Sequence, residues 1–132
     1  MIETEGITRT KTEEIKMLTS GIIHCKVLPD TFLTEDDARE NIEAISRMAK
    51  GKRVPVIVDI RAAKGASKEA RKFFGKKEVA EVQSACAMIT GSPLTKLLGN
   101  FFIGVNKPLF PTKLFTDEKD ALNWLHQIIK HD

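Results

Sequence analysis

Tyrosine is absent from this chain of 132 residues, tryptophan occurs once and cysteine twice. Without tyrosine, and with acidic residues spread among the basic ones, there is no basic patch interleaved with stacking aromatics, so no nucleic-acid partner is expected. Two cysteines with no Cys-x-x-Cys spacing rule against a disulfide framework or a zinc site. Cys25 and Cys86 stand among apolar or small residues and read as core. No apolar run approaches the ~20 residues of a membrane helix, so membrane insertion is not expected. Residues 1–11 carry Glu3, Glu5, Arg9 and Lys11 and lack the apolar stretch of a secretory signal, which points to a cytoplasmic protein with a flexible N-terminal tail over 1–11.

Catalytic signatures are missing too. There is no G-x-S-x-G, no Walker A and no dinucleotide-binding glycine pattern. His24, His126 and His131 share no ligand spacing with one another or with cysteine. The residues give no reason to expect an enzyme, a metal or a cofactor.

What is present suits one α/β domain spanning residues 1–132. With 42% hydrophobic and 30% charged residues and a net charge of +3, a chain of this length can bury a sufficient core unaided. Residues 14–18 and 21–27 read as two strands of a hairpin; in the second, Ile23, Cys25 and Val27 share one face and Ile22, His24 and Lys26 the other. Thr34, followed by three carboxylates, is a helix N-cap, and Ala38, Ile42, Ile45 and Met48 supply the apolar stripe. Val54 to Ile60 is apolar with little alternation, the pattern of a central strand covered on both faces. Ser67 caps the next helix, with Ala70, Phe73 and Phe74 inward, and residues 78–82 add a further short segment. A buried strand over 85–90 ends at Gly91, and Ser92-Pro93 opens a helix whose apolar stripe runs from Leu94 through Leu97, Leu98, Phe101 and Phe102 to Val105. A short strand over 112–115 and a helix over 117–130, with Ala121, Leu122, Leu125, Ile128 and Ile129 inward, complete the order ββαβαβαβα: a mixed sheet with a parallel core, flanked by helices.

Four features could carry function. Asp59 and Arg61 stand at the end of the central strand, where a structural ion pair or turn cap is favoured over a substrate contact. Thr90-Gly91-Ser92-Pro93 could hold an anion, although capping alone explains it. Lys68, Arg71, Lys72 and Lys76 fall on one side of the helix that Ser67 opens, preceded by Lys64; such a stripe is a solvated face or a receptor for an acidic partner. The apolar stripe from Leu94 onward is core by default, and otherwise a lipid-sized pocket or a dimer face.

The segments Gly21-Ile22-Ile23-His24, Thr34-Glu35-Asp36-Asp37-Ala38, Val54-Pro55-Val56-Ile57-Val58-Asp59-Ile60-Arg61 and Phe115-Thr116-Asp117-Glu118-Lys119-Asp120-Ala121-Leu122-Asn123-Trp124-Leu125, in that order, resemble small uncharacterised bacterial proteins related to the STAS domain, the fold of anti-sigma-factor antagonists. The resemblance covers about residues 13–130. It implies a STAS-like fold and a non-enzymatic regulatory or protein-interaction module with a protein partner; some relatives resemble lipid carriers, so the alternative is a carrier of a small apolar or lipid ligand. STAS domains place a phosphorylatable Ser or Thr at the start of the helix after a central strand, and Ser67 is the matching regulatory candidate. The family's Asp-Ser-x-Gly loop is replaced here by Gly65-Ala66-Ser67-Lys68-Glu69, without the Asp and the Gly.

Overall fold

The computed structural model describes residues 6–105 and 107–130. A six-stranded sheet forms the centre, in the order β1 (Ile7–Arg9), β2 (Glu13–Met17), β3 (Ile23–Val27), β5 (Val54–Asp59), β7 (Gln83–Ile89), β8 (Thr112–Phe115). The first two pairings are antiparallel and the last three parallel, so the sheet is mixed with a parallel core. A separate parallel pair, β4 (Thr31–Leu33) with β6 (Ala63–Ala66), stands apart from it. The helices are α1 (Glu35–Met48), α2 (Lys68–Phe73), α3 (Lys77–Ala80), α4 (Pro93–Asn100), a π-helical turn at Phe101–Val105, and α5 (Glu118–Lys130).

Alternation along the strands sorts side chains to two faces. On one, Ile15, Ile23, Cys25 and Val56 pack under α1, and Cys86 and Met88 pack with Phe73, Leu98 and Phe102 from the helices beyond. On the other, Ile22, Ile57, Ala85, Ala87 and Ile89 meet Ala121 and Leu125 of α5. The central strand β5 is therefore covered on both sides, which accounts for its unbroken apolar run. On neighbouring β3 the face away from α1 carries His24 and Lys26, beside Lys16 and Glu14 of β2. Alternation there is clean.

Thr34 caps α1 through a capping box: its hydroxyl oxygen accepts from the Asp37 N–H, and Asp37 Oδ2 accepts from the Thr34 N–H. Leaving α1, the chain passes through two left-handed residues, Lys50 and Gly51.

Four features depart from the sequence expectations. Ile7–Arg9 is an edge strand, where a flexible tail over 1–11 was expected; Met1–Glu5 lie outside the described residues. The turn after this strand is fastened to α1, where Asn41 Nδ2 donates to Thr12 Oγ1 at 2.9 Å and the Thr10 hydroxyl bonds Asn41 Oδ1. Strands β4 and β6 do not appear in the expected order either. Finally, the apolar stripe from Leu94 divides: Leu98 and Phe102 are buried, while Leu94 and Leu97 face solvent. The side chain of Val105 lies outside what is described. In α5, Ile129 likewise faces outward where the stripe placed it inward.

Candidate functional site

The divided stripe on α4 forms one wall of a surface groove of about 210 Å3. Opposite stands the β4–β6 pair, whose register brings Phe32 beside Gly65. A Cβ on Gly65 would sit 3.2 Å from the Phe32 ring, so the missing side chain is what lets that ring lie against β6. Phe32 and Leu94 are each 55% exposed and Leu97 53%, a concentration of large apolar side chains in water that has no role in the core. Phe101, at the start of the π-helical turn, also lines the groove, and the Arg71 guanidinium lies over its ring at 4.9 Å from the centroid. Single π-helical turns recur at functional positions.

Arg71 belongs to the basic stripe read from the sequence. Lys68 stands one turn before it, with Lys72 next to it, on the short helix α2. Among the described residues, none of Lys64, Lys68, Arg71 and Lys72 has a carboxylate within ion-pair distance. Lys76 is set apart: α2 ends at Phe73, and Lys76 is the residue before α3, its ammonium 6.0 Å from the Phe73 ring centroid. The structure thus gathers Lys68, Arg71 and Lys72 and separates Lys76.

Ser67 follows Ala66 of the groove wall. Its hydroxyl oxygen accepts from the Ala70 N–H at 3.0 Å, its N–H donates to Leu33 O at 2.8 Å, and its carbonyl accepts from Arg71 Nε at 3.4 Å. The hydroxyl is engaged as a helix cap.

The remaining candidates resolve into internal pairs. Arg61 donates to Asp59 from its backbone N–H, Nε and Nη2 at 2.8–3.0 Å. Burial alone would push the Asp59 carboxyl up, but the Arg61 hydrogen bonds and charge together hold it below its ordinary value. The N–H groups of Gly91 and Ser92 both donate to Thr95 Oγ1 at 3.0 Å, so the start of α4 satisfies them internally. His24 Nε2 lies 2.8 Å from Glu118 Oε1 and ties β3 to α5. Among the described residues, no three His, Cys, Asp or Glu side chains are grouped to hold a metal ion.

Thr12, Asn41 and Thr95 are buried polar residues that escaped the sequence reading, and so are two more on the sheet. Glu13, on β2, is 6% exposed on the helix-covered face; burial pushes its carboxyl up to about 7, only partly offset by a hydrogen bond from the Cys25 thiol. Burial, then the Glu13 charge, pushes the Cys25 and Cys86 thiols up in turn, which leaves both unreactive as nucleophiles. The second residue is Gln83, at the start of β7. Strand alternation could have flagged Glu13, since it shares the parity of Ile15 and Met17; Phe32 gave no signal, lying in a three-residue strand.

The mixed sheet with its parallel core places the protein among SpoIIAA-like folds. An uncharacterised DUF3478-family protein from Shewanella loihica PV-4, described as having that fold, matches at a TM-score of 0.54 and 21% identity, covering 91% of this chain and 90% of that one. The chain belongs to the family described as a domain of unknown function, DUF7793, which matches residues 16–129. A protein of unknown function from Arthrobacter sp. FB24 is 31% identical over 85% of this chain and 97% of its own, with a TM-score of 0.34. No curated protein matches. Among the described residues, no helix is long and apolar enough to cross a membrane.

Proposed function

We propose that this protein is a non-enzymatic regulatory module of the cytoplasm that docks a protein partner in the groove between β4–β6 and α4. The exposed trio Phe32, Leu94 and Leu97 is the observation that carries the reading, because water-exposed apolar surface of this kind is stabilised by covering it. Beside it, Lys68, Arg71 and Lys72 supply positive charge without carboxylate partners among the described residues. A segment with two or three apolar side chains and nearby Asp or Glu complements both features. Ser67 adjoins this surface: a phosphate there would add a charge of about −1.5 to −2 beside Lys68 and Arg71, cancelling the attraction for an acidic segment.

Co-purification of the tagged wild type, Leu97→Asp and Arg71→Glu, each checked for folding by circular dichroism, tests the reading. The wild type should retain a stoichiometric protein and release it as salt rises, Leu97→Asp should lose it, and Arg71→Glu should hold it weakly with less dependence on salt. Equal retention by all three would remove the groove from the account.

A further inference from the structure

Behind β6 the protein holds a second space, a partly open cavity of about 70 Å3 between the sheet and helices α1 and α2. One water needs about 10–15 Å3 and a cavity of about 150 Å3 admits benzene, so this one suits a molecule of a few non-hydrogen atoms and is too small for a whole lipid. Its walls include Ile45, Val58, Phe73 and Met88. Three polar side chains interrupt them, of which Asn41 is engaged by the Thr10 and Thr12 hydroxyls. Gln83 is 2% exposed and lines the cavity, and its Oε1 has no hydrogen-bond partner among the described residues. It reaches this face through a bulge: the register steps from Val54↔Gln83 to Pro55↔Ala85, so Ser84 is an extra residue. Without that step Gln83 would share the α5 side with Ala85 and Ala87. Glu13 lines the cavity as well, with a carboxyl that burial keeps protonated up to about pH 7.

We propose that this cavity is a binding site for a small, mainly apolar molecule carrying one hydrogen-bond donor, such as a short alcohol, whose O–H pairs with Gln83 Oε1. The acceptor selects the donor, since a buried carbonyl oxygen left unpaired is unfavourable. The apolar walls select the hydrocarbon remainder, and the volume limits its length. Cavity and groove share Gly65, Ala66 and Leu98 in their walls, so these three residues separate the two spaces there. The proposal does not rest on partner docking, because Phe32, Leu94 and Leu97 do not line the cavity.

Ethanol and dimethyl ether test this directly, being isomers of three non-hydrogen atoms of which only the alcohol has a donor. Titrated into the full chain and followed by NMR, ethanol should shift the Phe73, Met88 and Gln83 side-chain signals and bind about five- to tenfold more tightly than the ether. In Gln83→Leu that preference should vanish. Equal binding of the two isomers to the wild type, or no binding because ordered water already answers Gln83, overturns the proposal. Shifts confined to Phe32 and Leu97 overturn it too, since they would place the alcohol in the groove. The wild-type comparison decides even if Gln83→Leu does not fold.

Discussion

A carboxyl enclosed without a cation holds its proton, and Glu13 is in that situation, with the Cys25 thiol as its side-chain partner. Its value rises from the ordinary 4.5 to about 7 on folding, so between those pH values the folded protein keeps a proton that the unfolded chain has released. The associated stability is complete below about pH 4.5 and is lost as pH rises through 7, by up to about 3 kcal/mol. Glu13→Gln should flatten chemical-denaturation stability across this window and be the more stable form at pH 8. An unchanged slope in Glu13→Gln would show that some other group titrates. Ser67 makes a simpler case at the same scale. Its cap to the Ala70 N–H should be worth about 0.5–2 kcal/mol, read as the loss of thermal stability in Ser67→Ala. Unchanged stability together with altered partner binding would make the hydroxyl a switch instead of a cap.

Among the elements, α4 and α5 show what covering does to residues of similar character. Leu125 is fully buried in the contact of α5 with β5 and β7, and Leu125→Ala should cost about 2–5 kcal/mol in urea unfolding. On α4, Leu97→Ala should stay within about 0.5 kcal/mol of the wild type, because its side chain already faces water. A loss as large at Leu97 as at Leu125 would mean that the groove wall is core. The two leucines look alike in the sequence, since helical periodicity reports where apolar residues recur and not which of them a neighbour covers. Elements with local signals were legible: the Thr34 and Ser92 caps, and the Val54–Asp59 run that owes its composition to cover on both faces. Strands β4 and β6 were not, being three and four residues long and stabilised by pairing with each other across about 30 intervening positions. Of the site, the cations on α2 were readable; Phe32 against Gly65 and the bulge that turns Gln83 inward depend on strand register, which composition does not encode.

At the scale of the molecule, the two sides of the sheet are used differently. One long helix, α5, packs over β5, β7 and β8, leaving β1 to β3 to present charged side chains to water. The other side stacks α1 to α4 over the sheet and adds the β4–β6 pair at its margin, which is where the groove forms. On the proposed function, a protein with an apolar, acidic segment docks there. A photo-crosslinking residue in place of Leu97 tests it most directly, with one in place of the exposed His126 on α5 as the control. After irradiation and mass spectrometry, position 97 should yield one reproducible adduct mapping to an acidic, apolar peptide of another protein, and position 126 should not. The same adducts from both positions, or from position 97 only copies of this chain, would contradict it.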